Sequence, residues 1–417
     1  MTGLTAAILL FSPTIGSAWR APIQDPSDFE VAEPIRLAMT PRLDGELSPE
    51  EWDRLSSSGG VQSYLQWEPG WLFAAAEIPA GQDLKVSLDL NGDGWLVGRD
   101  NIEVRVRYAD GTGQVQLRRL DATDRNGPVW TEAKVIPEII TTAARSTAQG
   151  WFFEMKMLDA DLPKFEAGRK FGVRMDSVAP DEVEATAFLP RRTALCSLQW
   201  DRGSGMIEGF KWGAEYRARS VVPGESIPIR LNMTVPAGSP FGRIQLRTEG
   251  DPKIGSANQD LPFPRVDSRQ RAMVDYRLDV STGATTGYRT LLATLVGEGG
   301  QTTTLRTSFL VSEPIRFDLT LPENLTSQPG NQVIKGSVRL RSQTTKRVDG
   351  VFQIIAPDGW TVIRGSEQKF GIFHPRGTAR VGLELVSPPG ARGLIPLKLR
   401  ATVGDKVIEE TALLPIR

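Results

Sequence analysis

The segment LKVSLDLNGDGWLVGRDNIEVRVRY, residues 84–108, places an acidic, glycine-containing loop between two strand-like flanks. The loop, Asp89–Asp100, follows the D-x-N-x-D-G pattern of a calcium-binding loop. Its flanks, residues 84–88 and 101–108, run apolar or alternate between polar and apolar residues, which is typical of β-strands and not of the helices of an EF-hand. We therefore expect a β-hairpin whose loop binds Ca²⁺ as a static structural ion.

The predicted metal ligands are oxygen atoms spaced along this loop. Carboxylate and carbonyl oxygens suit Ca²⁺, and a glycine at the sixth position permits the sharp turn around the ion. An Asn-Gly/Asp-Gly hairpin turn would use some of the same residues, but it needs only two of them, so the further carboxylates favour the ion. The predicted ligands are the side chains of Asp89, Asn91, Asp93 and Asp100 and the main-chain carbonyl of Trp95.

Composition bounds the class of protein. The chain has 417 residues, 24% of them charged, and a formal net charge of −1. This length predicts two to four domains, and the balanced charge does not favour binding to nucleic acid or to an anionic membrane. The single cysteine, Cys196, excludes an intramolecular disulfide and is expected to be a small buried residue.

The N-terminal residues 1–18 resemble a secretory signal peptide. Thr5–Phe11 is a short apolar run, and Gly16-Ser17-Ala18 offers small residues for cleavage. The run is too short to span a bilayer, and no later stretch is long enough, so no transmembrane segment is predicted. We expect the protein to be secreted, extracellular or in the cell envelope.

Residues 35–212 read as one domain of successive short strands separated by turn signals. Regularly spaced strands of this kind indicate a β-sandwich or barrel. A capped helical turn is expected at Ser48–Trp52. The predicted strands are Leu65–Trp67, Trp71–Ile78, Leu84–Leu90, Ile102–Tyr108, Gln114–Leu120, Trp151–Met157 and Lys170–Ser177.

The rest of the chain contains a repeat. Pro223-Gly224 recurs as Pro329-Gly330, and Gly287 recurs as Gly393, each of these two glycines being followed by alternating strand-like residues. We therefore expect two tandem immunoglobulin-like β-sandwiches, at residues 213–314 and 315–417.

Four motifs of the first domain resemble family 9 carbohydrate-binding modules, and together they cover about residues 35–200. The motifs are Leu43–Leu47 with Glu51-Trp52, Leu65–Trp67 with Trp71–Ile78, Asp100–Val106, and Trp151–Met157 with Phe171–Asp176. The two repeats resemble the accessory immunoglobulin-like domains found beside glycoside hydrolases and on bacterial surfaces, which usually act as spacers.

The resemblance implies an all-β chain, in which a calcium-stabilised, carbohydrate-binding-module-like sandwich is followed by two immunoglobulin-like sandwiches. It also implies export and association with glycan-degrading enzymes. In the best-known members of the family two tryptophan rings clamp a terminal sugar. Here Gly98-Arg99 replaces the tryptophan expected before Asp100, and Trp95 is an approximate counterpart.

The candidate glycan-binding residues are tryptophans beside turns and one basic residue near them. An exposed ring can stack on the apolar face of a sugar while polar neighbours bind its hydroxyls. Trp52 and Trp67 are expected in the core instead. The predicted glycan-binding residues are Trp71, Trp95, Trp130 and Arg99.

Catalysis is not predicted. The only histidine, His374, lies in the last repeat, so the first domain has no histidine for a triad or a histidine-rich zinc site. No spacing selects a carboxylate pair for glycoside hydrolysis. Haem binding, known in relatives of this sandwich, would need Met155, Lys156 or Met175 as ligand.

The sequence therefore predicts a secreted, non-catalytic protein that binds a polysaccharide or glycan through its first sandwich. Partners would be glycan-degrading enzymes or a cell surface. Two alternatives remain: a structural or adhesive surface protein whose first sandwich has lost sugar binding, and a haem-binding electron-transfer module.

Overall fold

The computed structural model describes most of the chain from residue 32 onward. The described residues are 32–55, 61–121, 129–133, 135, 138–160, 162–180, 182, 192–200, 204–207, 210–216, 220–235, 241–249, 251, 253–254, 259–262, 270–322 and 324–417. The predicted signal peptide, residues 1–18, lies outside them. The described elements are β-strands apart from one 3-10 turn at Pro49–Glu51. The all-β prediction is confirmed.

The first group of strands forms two sheets. A seven-stranded sheet has the order β1-β12-β11-β5-β6-β7-β8, and a five-stranded sheet has the order β2-β3-β4-β10-β9. All seven predicted strands are present, with ends that differ from the predicted ones by no more than three residues. The strands are β1 (Glu33–Leu37), β2 (Asp53–Arg54), β3 (Gln62–Glu68), β4 (Trp71–Pro79), β5 (Asp83–Asp89), β6 (Asn101–Ala109), β7 (Thr112–Asp121), β8 (Val129–Ala133), β9 (Ile140–Ser146), β10 (Gly150–Leu158), β11 (Lys170–Val178) and β12 (Ala194–Trp200).

One hydrophobic core lies between these two sheets and makes them a sandwich. Successive side chains of a strand point to opposite faces, so alternate residues of each strand enter this core. Trp67 is fully buried there, and its indole N–H donates to the Ile35 carbonyl at 3.0 Å. Cys196 is also fully buried, as predicted, and burial raises the pKa of its thiol to about 12.

The outer face of the five-stranded sheet is covered in its middle by the segment 38–52. Trp52, which is 6% exposed, packs there against Tyr64, Phe73 and Phe152. The predicted helical turn is present in this segment, but Ser48 makes no side-chain capping hydrogen bond. Since both faces of β4 are covered, most of its residues are buried.

The remaining strands form two further pairs of sheets, each around its own core. The second sandwich has sheets β13-β14-β16-β19 and β15-β21-β20-β17-β18, and the third has β22-β23-β27-β25 and β26-β24-β28-β29. Their strands are β13 (Ser204–Ile207), β14 (Phe210–Tyr216), β15 (Ser220–Val221), β16 (Ser226–Val235), β17 (Phe241–Glu249), β18 (Gln259–Pro262), β19 (Gln270–Asp279), β20 (Gly287–Gly297), β21 (Thr302–Val311), β22 (Ile315–Thr320), β23 (Gln332–Ser342), β24 (Val348–Ile355), β25 (Thr361–Arg364), β26 (Gln368–Ile372), β27 (Thr378–Ser387), β28 (Gly393–Val403) and β29 (Lys406–Ile416).

The boundary expected at residue 212 falls inside β14. This strand is hydrogen-bonded to β16 along its whole length, from Lys211↔Thr234 to Tyr216↔Ile229. Strand β13 pairs in turn with β14, so residues from Ser204 onward belong to the sheet of the second sandwich.

Specific contacts join consecutive sandwiches. At the first junction, Thr40 N–H donates to the Tyr288 carbonyl at 3.1 Å, and Tyr288 N–H donates to Thr40 Oγ1 at 2.8 Å. At the second junction, the Glu225 carboxylate accepts hydrogen bonds from the hydroxyls of Thr344 and Thr345. Each junction thus has polar contacts of defined geometry.

No helix among the described residues is long and apolar enough to cross a membrane.

Candidate functional site

The predicted calcium loop is held by its own side chains. The carboxylate of Asp89, fully buried at the end of β5, accepts hydrogen bonds from Gly92 N–H at 2.9 Å and Gly94 N–H at 2.7 Å. Both glycines have positive φ, 71° and 88°, a conformation that other residues rarely adopt. The first acid of the motif therefore organises the turn that follows it.

The remaining acidic and amide groups of the loop also accept backbone hydrogen bonds. Asn91 Oδ1 accepts from Asp93 N–H at 2.9 Å, and Asp93 Oδ1 accepts from Trp95 N–H at 2.9 Å. Asp100 Oδ2 accepts from Asn91 N–H at 3.3 Å. Within the part of the chain that the structure describes, no three His, Cys, Asp or Glu side chains converge as a metal site would require. The calcium ligands thus stay a prediction.

The acidic side chains of the loop lack basic partners among the described residues. Burial, and then the nearby carboxylates of Asp93 and Asp100, raise the pKa of Asp89 to about 6, against the backbone N–H groups that lower it. None of these three acids forms an ion pair with a described Lys or Arg. Beside them, Asn101 is fully buried, and its Oδ1 has no hydrogen-bond partner among the described residues. The orphaned amide oxygen and the unpaired acids are oxygen donors of the type that a hard cation prefers.

The four predicted glycan-binding residues do not share one site. Trp71 begins β4 on the five-stranded sheet, Trp95 lies in the calcium-like loop, and Trp130 lies on β8 at the edge of the seven-stranded sheet. All three tryptophans are half-buried, and Arg99 is exposed. None of the four lines any of the three cavities described below.

Two of these tryptophan rings already face a cation. Lys156 Nζ lies 3.9 Å from the ring centroid of Trp71, and Arg192 Cζ lies 5.2 Å from that of Trp95. A cation over the ring face occupies the surface on which a sugar would stack. The predictions for Trp52 and Trp67 as core residues are confirmed, since both are buried.

The residues considered for haem lie on opposite faces of the five-stranded sheet or across the core. Met155 and Met175 are fully buried in the first core. Lys156, on the opposite face of β10, is 3.4 Å from a carboxylate oxygen of Glu68. Its ammonium group is thus directed away from the two methionines.

A row of four residues crosses the outer face of the five-stranded sheet. The pairing register places Gln62 opposite Glu77, Glu77 opposite Phe152, and Phe152 opposite Arg145. Neighbouring strands lie about 4.8 Å apart, so the row spans about 15 Å. We call Gln62, Glu77, Phe152 and Arg145 the polar row.

The polar row lines a cleft of about 720 Å³. Phe152 is buried and contributes to the floor with Leu47, while Gln62, Glu77 and Arg145 are exposed at its sides. Arg145 forms an ion pair with Glu46, and Gln62 donates a hydrogen bond to the Tyr64 hydroxyl. Concave sites of this size, with an apolar floor and a few polar groups, are typical of small-ligand sites.

The covering segment forms the wall of this cleft, and Glu154 anchors the segment. The Glu154 carboxylate accepts from Asp44 N–H at 2.9 Å and from Gly45 N–H at 2.7 Å. Gly45 has φ of 78°, and a Cβ there would lie 2.9 Å from Arg145 Cβ, so the close approach requires glycine. Burial, then the carboxylates of Asp44 and Glu51, raise the pKa of Glu154 to about 7, although the two N–H groups favour its charged form.

The outer face of the seven-stranded sheet carries charges that neutralise one another. Glu103 pairs with Arg118 and, at 3.7 Å, with Lys85 Nζ. At the far end of β5, Asp83 pairs with Arg105 at 3.1 Å and Arg107 at 3.3 Å beside a cavity of about 400 Å³. Lys85, Glu103 and Asp83 are buried. The charges of this network are paired with one another.

The polar row is not apparent from the amino-acid sequence. Its members lie between 7 and 90 residues apart in sequence. They meet because β3 pairs with β4, β4 with β10 and β10 with β9. The available signal was local: Gln62 and Glu77 are polar residues at the ends of strands that are otherwise largely apolar. Without the register these positions are indistinguishable from ordinary solvated strand ends.

The comparisons with known proteins give distant structural likenesses and no family. No protein-family model matches it, and no curated protein gives a significant match. Red sea bream transglutaminase is 12% identical with a TM-score of 0.33, covering 51% of this chain and 32% of its own. A Salmonella alpha-2-macroglobulin mutant is 9% identical with a TM-score of 0.25, covering 86% of this chain and 30% of its own. This chain therefore spans about a third of the length of either protein.

A family 9 carbohydrate-binding module from Caldicellulosiruptor kristjanssonii, solved in complex with glucose, is also similar. It is 14% identical with a TM-score of 0.26, covering 42% of this chain and 98% of the module. At such identities and TM-scores these likenesses assign no activity. The β-sandwich description rests on the strands and cores of the chain itself.

Proposed function

We propose that this chain is a secreted, non-catalytic glycan-binding protein whose first sandwich binds sugar in the cleft of the polar row. The observation that carries the proposal is the register that aligns an amide, a carboxylate, a ring and a guanidinium across four strands beside a 720 Å³ cleft. Sugars present hydroxyls and apolar C–H faces together, so they need such mixed groups.

Each side of the cleft supplies a different kind of contact. Gln62 can both donate and accept hydrogen bonds, Glu77 accepts them, and Arg145 donates them. Phe152 and Leu47 offer the apolar floor on which the C–H face of a sugar would rest. Because Arg145 is held by Glu46, its guanidinium is oriented before a ligand arrives.

Calcium belongs to this proposal as a structural ion at Asp89, Asn91, Asp93, the Trp95 carbonyl and Asp100. Its support is the uncompensated charge of the three acids and the orphaned Oδ1 of the adjacent Asn101. The two following sandwiches would act as spacers that hold the first one away from a glycan-degrading enzyme or a cell surface.

The second candidate function is a structural or adhesive role without sugar binding. The cations above the rings of Trp71 and Trp95 favour it, because they occupy the aromatic faces that the tryptophan-clamp prediction requires. The two candidates differ in whether the polar row has a ligand.

Affinity gel electrophoresis of the full chain against a panel of soluble polysaccharides separates them. We expect retardation by at least one polysaccharide and a loss of about tenfold in affinity in Glu77→Ala and in Arg145→Ala, since each removes a charge-assisted hydrogen bond. The control Glu166→Ala removes an exposed carboxylate of the same sandwich outside the cleft and should bind as the wild type does.

Trp71→Ala and Trp95→Ala should also leave retardation unchanged. Retardation lost in either of these variants but kept in Glu77→Ala would place the sugar at the tryptophans and contradict the polar-row site. Absence of retardation by every polysaccharide would favour the structural candidate.

A further inference from the structure

A second cleft, of about 600 Å³, lies between the first and third sandwiches. Its first wall is one end of the first core, where Ile102, Leu117 and Met157 come to the surface of the cavity. Its second wall comes from the third sandwich and includes Trp360 and Ile395. Met157 and the polar-row residue Phe152 lie five positions apart on β10, so the two clefts occupy different ends of one strand.

The lining of this interdomain cleft is predominantly apolar. Of its eighteen lining residues, only Arg119, Asp358 and Arg392 carry a charge. An apolar cavity with few polar groups takes a ligand with an apolar body, and the charged groups fix the orientation of that ligand. The body of the expected ligand is therefore hydrocarbon-like and not a sugar.

The two arginines of the lining indicate the charge expected at the polar end of the ligand. Arg119 comes from β7 of the first sandwich, and Arg392 immediately precedes β28 of the third. Both are exposed, and neither guanidinium has a hydrogen bond or ion pair with a described residue. With Asp358 as the single acid, the charged lining has a net positive charge, which complements one anionic group.

We propose that this cleft binds an amphipathic carboxylate of the long-chain fatty acid class, with its chain between the two sandwiches and its carboxylate toward Arg119 and Arg392. Guanidinium groups bind carboxylates through short, charge-assisted hydrogen bonds. A ligand held by both walls would tie the first sandwich to the third. The proposal does not depend on glycan binding, because none of the polar row lines this cleft.

Isothermal titration of the full chain with dodecanoate, kept below its micelle-forming concentration, tests the proposal. We expect saturable binding at one site per chain, and binding of dodecanol at least about tenfold weaker, because the alcohol lacks the charge that the arginines bind. Arg119→Gln and Arg392→Gln should each weaken dodecanoate binding by about tenfold. The control Arg339→Gln removes an exposed arginine of the third sandwich outside the cleft and should leave the affinity unchanged.

Leu394→Trp places a larger side chain in the cleft wall and should weaken dodecanoate binding more than either arginine substitution does. Thermal unfolding of each variant verifies that it is folded. No saturable binding by the folded wild type would overturn the proposal. Equal affinity for dodecanol and dodecanoate, or unchanged affinity in both arginine variants, would overturn it as well.

Discussion

The outer faces of the two sheets of the first sandwich handle buried charge in opposite ways. On the seven-stranded sheet, Glu103 is flanked by Arg118 and Lys85, so the buried carboxylate has cationic partners. On the five-stranded sheet, Glu154 is fully buried and, among the described residues, has no cationic partner and accepts hydrogen bonds only from the backbone of the covering segment. One face is stabilised by its own side chains, and the other depends on a segment from elsewhere in the chain.

This difference bears on the proposed glycan site at the polar row. A face whose charged side chains pair with one another is stable but leaves few side chains free to bind a ligand. The face that the segment 38–52 covers only in part keeps an open cleft beside that segment. The polar row lies at that opening, and a Cβ on Gly45 of the covering segment would lie 2.9 Å from Arg145 Cβ of the row. On this partly covered face, the charge of the buried Glu154 carboxylate is poorly compensated.

The largest effect is expected from breaking the paired face. Glu103→Ala leaves Lys85 and Arg118 buried without their shared carboxylate, with side chains 5% and 11% exposed. Removing one partner of a buried ion pair costs about 3–5 kcal/mol, because the remaining charge is uncompensated. Urea unfolding should report this decrease in the free energy of unfolding.

Glu46→Ala is the matched control, since its ion pair with Arg145 is about 60% exposed on both sides. Exposed pairs contribute less than about 1 kcal/mol. If the two substitutions lowered stability equally, the network around Glu103 would not stabilise its face as argued.

The buried Glu154 carboxylate, which has no cationic partner among the described residues, predicts a pH dependence of the free energy of unfolding. Its folded pKa, about 7, lies above the ordinary value of 4.5, so the folded state binds the proton more tightly. The corresponding stabilisation is complete below about pH 4.5 and is lost as the pH rises through 7. Glu154→Gln cannot ionise, so relative to this variant the wild type should lose about 2–3 kcal/mol of unfolding free energy between pH 4.5 and 8.

Urea titrations of both proteins at several pH values measure this difference, and titrating groups that do not interact with Glu154 cancel from it. A difference that stayed constant with pH would show that Glu154 ionises in the folded protein as readily as in water. The comparison between the faces would then lose its electrostatic basis.

The fold was largely predictable where contacts are local. The strands β5, β6 and β7 form a meander, so their alternation and turns give both the strands and their order. The pairings that the sequence did not reveal are long-range ones, such as parallel β1 with β12. The boundary expected at residue 212 missed β14 for the same reason, because that strand is assigned by its pairing with β16.

The candidate site was less predictable than the fold because it depends on register and on cover. Trp71 is beside a turn, as its sequence neighbours indicate, yet Lys156 from another strand caps its ring. Conversely, Gln62 and Glu77 become part of a candidate site only because the register places Phe152 between Glu77 and Arg145. Local sequence identifies a polar side chain, whereas long-range pairing decides which others it meets.

The smallest expected effect concerns the calcium-like loop at the end of β5, where the acidic side chains have no ion-pair partners among the described residues. Asp89 ends β5, and Asp93 and Asp100 lie in the loop after it; none has a basic partner among the described residues, and the proposed calcium ion would supply the counter-charge. An ion bound only by the folded state adds about 1.4 kcal/mol at ten times its Kd. Adding chelator should therefore lower the unfolding midpoint by about 3–6 °C.

Differential scanning calorimetry with calcium or with chelator measures this shift. Asp93→Ala should abolish it, whereas Asp405→Ala, an exposed hairpin aspartate of the third sandwich, should retain it. The contrast between the two aspartates isolates the loop, because both lie in hairpin turns and only Asp93 has two further carboxylates nearby. A shift that persisted in Asp93→Ala would mean that calcium binds elsewhere and that this end of the face is stable with its charges unpaired.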